Sequence, residues 1–160
     1  MASATPHTIV LESNNPDNML QRVIERYIAY TGSTIVPGDL VEINTTGQAQ
    51  EHSVTAGHDY GLVAIENPFD NALTTAAIDQ PYAVGDTVRM IRALPGDVLY
   101  MWLASGEATS IGSPLAASSV AGQLATETGA TGPVPDPIFG FATEAVTGVT
   151  GGSRVRVRKS

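Results

Sequence analysis

One turn recurs along this chain with the same chemistry, and each copy opens a short apolar-alternating run. The copies are Pro37-Gly38-Asp39, Val84-Gly85-Asp86 and Pro95-Gly96-Asp97. The runs behind them are Leu40-Val41-Glu42-Ile43, Thr87-Val88-Arg89-Met90-Ile91 and Val98-Leu99-Tyr100-Met101-Trp102-Leu103. Proline presets φ and glycine accepts φ > 0, so the pair fits a tight turn before an extended segment. Short strands punctuated by Gly, Pro and Asp imply an all-β fold, either a sandwich or a barrel.

The same reading extends along the chain. Residues 1–18 carry Pro6, Pro16, Asn14, Asn15 and Asn18 around one apolar stretch, Thr8-Ile9-Val10-Leu11. That composition predicts an extended arm with a single strand candidate and no evident partner within the chain. Residues 19–160 then form one β-rich domain. Between Met19 and Tyr30 two periods compete. Leu20, Val23, Ile24, Tyr27 and Ile28 fit a helical stripe, whereas Arg22, Ile24, Arg26, Ile28 and Tyr30 alternate as a strand. Asn44-Thr45-Thr46-Gly47 reads as a hairpin turn between Leu40–Ile43 and Gln48–Val54. Tyr60–Glu66 is another strand, and Pro95-Gly96-Asp97 is expected to fold Thr87–Ala93 and Val98–Leu103 into a hairpin. Residues 104–137, rich in Ala, Ser, Thr, Gly and Pro, predict short edge strands and a long loop. Ile138–Val146 reads as a strand, and Arg154-Val155-Arg156-Val157-Arg158 as one with its arginines on a single face.

Charge and composition narrow the function classes. The chain has 160 residues, a net charge of −8 and no cysteine, so disulfides, thiolate metal sites and thiol catalysis are excluded. Four of the eight basic residues are Arg154, Arg156, Arg158 and Lys159, which leaves the rest more acidic still. An acidic surface repels phosphates, so neither nucleic acid nor an anionic membrane is an expected partner. No apolar run approaches the roughly 18 residues that a spanning helix needs. Lys159 is the only lysine. Hydration in high salt and GC-rich coding both account for that, and both stay open.

No reactive centre emerges from the motifs. His52 and His58 flank Gly57, with Asp59 beside the second, but the spacing matches no compact zinc motif. These histidines, with His7 in the arm, read as solvated surface residues. Asp39, Asp86 and Asp97 each follow glycine in a turn, where aspartate bonds backbone N–H groups. Gly106-Glu107-Ala108-Thr109-Ser110-Ile111-Gly112 lacks the lysine and following serine that close a phosphate loop after its second glycine. The stretch Val88 to Asp97 looks like the box of type I signal peptidases, which need a serine nucleophile and a lysine base. Here the sole lysine sits in the terminal tail. Tyr100, Trp102, Phe139 and Phe141 read as core, or as groups facing a partner subunit. No catalytic, cofactor-binding or metal-binding residue is expected.

Taken in order, residues from about 22 to 158 resemble the head-decoration, or capsid cement, proteins of tailed viruses. The family pattern is matched by Arg22–Tyr30, by Ile35-Val36-Pro37-Gly38-Asp39-Leu40-Val41-Glu42, and by Tyr82-Ala83-Val84-Gly85-Asp86-Thr87-Val88. It continues through Leu94-Pro95-Gly96-Asp97-Val98, Leu103 to Glu107, Ile111-Gly112-Ser113-Pro114-Leu115 and Ala121-Gly122-Gln123-Leu124. It closes with Phe141-Ala142-Thr143-Glu144-Ala145-Val146 and the basic strand Arg154–Arg158. Each motif alone is common turn chemistry, and the specificity lies in their succession. The resemblance favours a strand over Arg22–Tyr30. It implies a compact β-barrel or β-tulip domain, a homotrimer on the outer surface of a capsid, the major capsid protein as partner, and neither catalysis nor a cofactor. A halophilic host would accord with the acidic surface. On this reading the arm orders against a neighbour, with Ile9, Val10 and Leu11 as subunit or capsid contacts. The alternative is another β-rich virion module, such as a fibre or receptor-binding protein.

Overall fold

The computed structural model describes residues 6–14, 22–55, 61–68, 76–128, 137–148 and 150–160. Among them the strands in chain order are β1 (Val10–Glu12), β2 (Val23–Ile28), β3 (Leu40–Ile43), β4 (Ala49–Glu51), β5 (Leu62–Ala64) and β6 (Thr87–Arg92). They continue with β7 (Val98–Leu103), β8 (Pro114–Ala117), β9 (Leu124–Thr126), β10 (Gly140–Ala142) and β11 (Ser153–Lys159). Among the described residues a 3-10 turn, Ala77–Asp79, interrupts them. The fold is all-β, as the turn chemistry predicts.

The strands form two units. The first is a barrel with strand order β2-β6-β5-β3-β4, closed by a bridge between Ala29 and Ala49. The second is a six-stranded sheet, β1-β7-β11-β10-β8-β9, which curls until Leu124 of β9 meets Leu103 of β7. Period-two patterning explains the packing. On β7, Leu99, Met101 and Leu103 are fully buried, while Tyr100 and Trp102 between them are half-buried on the other face. Val155 and Val157 of β11 join the same core, together with Leu115, Leu124 and Phe139. The barrel interior holds smaller groups: Ala29, Ala49, Ala64, Val41, Val88 and Met90, with Tyr82 among them. The outer faces of β3, β5 and β6 are apolar as well. Leu40, Val63 and Ile91 belong to the core of the curled sheet, so one apolar mass spans both units.

The Gly-based turn is commoner than its three obvious copies. In the turns 36–39, 83–86, 94–97, 104–107, 110–113 and 120–123, the fourth residue's N–H donates to the first residue's carbonyl at 3.0–3.2 Å. Glycine holds the third position in all of them, at φ from +75° to +96°. In the proline copies this is the type II arrangement, which only glycine adopts readily.

That geometry overturns one expectation. β6 and β7 do not pair as a hairpin. β6 lies between β2 and β5 in the barrel, whereas β7 lies in the curled sheet. A type II turn splays its flanking strands, while tight hairpins use the mirror-image turns whose twist matches the strands. Pro95-Gly96-Asp97 therefore carries the chain from one unit to the other. The hairpin at Asn44–Gly47 does form, with Ile43 opposite Ala49.

Other boundaries shift too. Residues 22–30 are a strand over Val23–Ile28, as the resemblance favours, and 19–21 lie outside the described residues. β8 is an interior strand between β10 and β9, not an edge, and of the segment expected to hold a long loop, 104–137, residues 129–136 lie outside the described residues. The strand expected over Ile138–Val146 shrinks to β10 and an isolated bridge from Val146 to Thr109.

Candidate functional site

The arm residues are where the structure departs furthest from the sequence reading. Of the arm expected over residues 1–18, residues 6–14 are described, and they do have a partner in the same chain. β1 pairs antiparallel with β7, Val10 opposite Leu99 and Glu12 opposite Val98. Ile9 is fully buried in the shared core, and its N–H is bonded to the Glu66 carboxylate. Ile9 thus belongs to the chain's own core, since a side chain without exposed surface offers none to a neighbour. Val10 and Leu11 are half-buried. Local sequence does not announce this pairing, because the partner strand lies 89 residues away, taking Val10 and Leu99.

The arm is clamped at its other end. Asn14 donates its N–H to Asp97 Oδ1 at 2.9 Å and its side-chain amide to the Pro95 carbonyl at 2.9 Å. The Arg22 guanidinium forms an ion pair with Asp97, and also bonds the Ser13 hydroxyl at 3.1 Å and the Arg92 carbonyl at 2.8 Å. Burial raises the Asp97 carboxyl, but Arg22 and the N–H groups of Leu94 and Asn14 together hold it below the usual aspartate range.

The three turn aspartates perform the structural role expected of them. Asp39, Asp86 and Asp97 accept the N–H of Val36, Ala83 and Leu94 at 2.7, 2.9 and 2.7 Å. Each carboxylate thus closes its own turn from the side-chain face. The turns lie apart on the barrel and at its junction with the sheet, so they form no convergent acid–base set. Ser113 does the same for Ser110, accepting its N–H at 3.0 Å.

The arginines of β11 are on one face, as alternation predicts, yet they differ in use. Arg154 lies 4.4 Å above the Trp102 ring and bonds Asp79, the Pro37 carbonyl and the Ile78 carbonyl. Trp102 donates its indole N–H to the same Pro37 carbonyl at 3.1 Å. This group pins the Val36–Asp39 turn of the barrel onto the curled sheet. Arg156 pairs with Glu144 at 3.6 Å, and Arg158 is exposed. Phe139 is core, whereas Phe141 is exposed.

Among the histidines, His7 is exposed as expected, but His52 is not. It is buried behind β3, with Nε2 4.0 Å from Glu42, and its backbone carbonyl accepts the N–H of Gly122. Four-residue turn 120–123 covers it, an approach that no local pattern announces. His58 and Asp59 lie outside the described residues. Among the described residues no group of three or more His, Asp or Glu side chains is placed to hold a metal ion.

Large apolar side chains stand exposed on the tips of the Gly turns, Val84 and Ile111 above all. Ile28 and Tyr30 are exposed where β2 leaves the barrel. Beside them a cleft opens into the barrel between Ile24, Arg26, Tyr27, Ile43, Leu62 and Arg92. Sequence reasoning placed Ile24 and Arg26 on a common strand face but could not find the cleft, because a bulge in β2 changes which residues face inward. No protein-family model matches the sequence, and no curated protein matches it.

Proposed function

We propose that this chain is a virion structural protein that binds the outer surface of a capsid and cements neighbouring major capsid subunits, working as a trimer and without catalysis. The observation that carries the reading is the succession of turns and strands from Arg22 to Arg158, the order in which the decoration-protein pattern runs. Two features of the fold support it. The conspicuous carboxylates each accept a backbone N–H in closing a turn, a structural use that supports a role without catalysis. The body is built from two units that share an apolar core, with apolar side chains exposed at turn tips, which suits a protein whose work is contact.

The physical logic is mass action. A ligand that binds the assembled shell and not its separated subunits stabilises the shell. Three linked copies raise the effective concentration of each further contact, a gain of about 10²–10⁴ over one site. A fibre or receptor-binding module would call for an open aromatic platform, and the largest aromatic, Trp102, is instead covered by Arg154.

The test is co-sedimentation of the purified protein with empty shells of the virus that encodes it, followed by imaging of the particles. The reading expects saturable attachment, trimeric density on the outer surface, and shells that withstand higher temperature when coated. Failure to attach at micromolar concentration would sink it.

A further inference from the structure

The barrel is closed at one end and open at the other. β2 pairs with β6 along one edge; among the described residues its second edge is bridged only where Ala29 meets Ala49. The pairing with β6 slips between Ile24↔Met90 and Tyr27↔Val88, so Glu25 and Arg26 stand opposite Arg89 alone. Such a bulge lets both Ile24 and Tyr27 turn inward, where both pack against the barrel core. The cleft behind them has a volume of about 270 Å³, with Ile24, Tyr27, Ile43 and Leu62 as an apolar floor. Arg26 and Arg92 stand at its rim, both exposed. Arg26 stacks 4.9 Å from the Tyr27 ring, and neither arginine makes an ion pair among the described residues.

Size and charge select the occupant. Small-molecule sites enclose roughly 300–1,000 Å³, so this cleft suits one large side chain better than a cofactor. Two arginines that make no ion pair among the described residues, over an apolar floor, favour an anion that also carries an apolar group. Nucleic acid offers the anion, but neither an aliphatic side chain for the apolar floor nor a backbone that pairs with a strand edge. An open strand edge beside an apolar pocket is the arrangement that binds extended peptides by strand addition.

We propose that the barrel mouth receives an extended acidic segment of a partner protein, which adds a strand to the free edge of β2, sets an apolar side chain over Ile24, Tyr27, Ile43 and Leu62, and presents carboxylates to Arg26 and Arg92. The inference deepens the cement reading and rests on it only in taking that partner to be a shell subunit.

The experiment has two arms, both on the full chain. In the first, a fluorescent blocked peptide of alternating leucine and glutamate is titrated by anisotropy against the wild type, the R26E/R92E double variant and R158E, a charge reversal elsewhere. Saturable binding that falls at least tenfold in R26E/R92E, and equally when glutamine replaces the peptide's glutamates, supports the mouth. R158E is expected to bind as the wild type does. No saturable binding by the wild type, equal loss in R158E, or equal binding of a single-stranded oligonucleotide of matching charge overturns it. Should circular dichroism show that the double reversal misfolds, R26Q/R92Q takes its place, with a loss of at least threefold expected and none overturning the proposal. In the second arm the same variants are sedimented with shells. If peptide binding depends on the arginines but the wild type ignores shells, the cement reading fails and the mouth stands. If R26E/R92E coats shells as well as the wild type, the mouth is not the shell contact and the deepened claim is wrong.

Discussion

The Val36–Asp39 and Leu94–Asp97 turns are built alike: an apolar residue, then Pro-Gly-Asp, glycine at φ +96° or +94°, and a carboxylate bonded at 2.7 Å to the N–H three residues back. Both aspartates are buried, and both turns sit where the barrel meets the curled sheet. Their electrostatics are opposite. Asp97 faces the Arg22 guanidinium and is held below the usual aspartate range despite its burial. Burial pushes Asp39 well above that range: the Val36 N–H and the more distant Arg154 pull it down, Glu51 pushes it up, and desolvation prevails. The sequence motif sets the turn's geometry; whatever docks against the turn sets its charge.

The sharpest way to break that comparison is the same isosteric change at both sites. Asp97→Asn leaves Arg22, whose side chain is 9% exposed, without its counter-charge, and removing one partner of a buried pair costs about 3–5 kcal/mol. Asp39→Asn removes a desolvated charge while keeping an oxygen for Val36, so stability at neutral pH should rise. Urea unfolding at pH 7 checks both, and shifts of the same sign would refute the account. The pH dependence separates them further. Asp97, lowered on folding, contributes stability present above its unfolded value, near 3.8, and lost as pH falls through its folded value. Asp39, raised on folding, makes its most favourable contribution below that unfolded value and loses it as pH climbs toward the folded one. The wild-type-minus-variant difference in stability should therefore rise with pH for Asp97 and fall with pH for Asp39.

These two residues also mark what could be read from the sequence. Pro-Gly-Asp announced a turn, a following strand and a side-chain cap, and all three are present at residues 36–43 and 94–103. The cap rests on contacts within four residues, which sequence displays. The charge behaviour does not, because Arg22 is 75 positions from Asp97 and Arg154 bonds the carbonyl of Pro37 from 117 positions away. Strand pairing fails for the same reason. A local turn does not by itself imply a local hairpin: the type II geometry sends β6 and β7 into different units. Ile9 follows suit: its apolar neighbourhood was legible, its partner strand was not. The barrel mouth was hidden by a single-residue slip in pairing, which reverses the inward face of β2 without leaving a sequence signature.

A second pair of variants separates conformational strain from crowding. Gly38 and Gly85 both have positive φ, +96° and +86°. A methyl group on Gly38 would come within 2.9 Å of the Tyr100 backbone oxygen, whereas one on Gly85 would meet nothing within 4 Å. Gly85→Ala should thus cost only the left-handed strain, about 1–2 kcal/mol. Gly38→Ala adds a clash with backbone that cannot rotate away, and should cost about 1–3 kcal/mol more. Equal losses in thermal unfolding would mean that the barrel and sheet can slide apart at this junction.

The smallest effect is expected at the third copy. Asp86 closes its turn as the others do, with Ala83 N–H at 2.9 Å, but Ala83, Val84 and Gly85 are exposed and no arginine bonds the carboxylate. It represents the motif without burial and without a cation. Asp86→Ala removes one hydrogen bond that water can replace, so the loss should be about 0.5–1 kcal/mol, at the low end for such bonds. For a chain of 160 residues that corresponds to about 1–4 °C in the thermal midpoint. The backbone bond from Asp86 N–H to the Ala83 carbonyl, 3.0 Å, survives the change and keeps the turn closed. A loss approaching that of Asp97→Asn would show that the carboxylate cap itself holds these turns, and that the cation at Asp97 is incidental. A negligible loss would place nearly all of the stabilisation at residues 94–97 in the Arg22 pair.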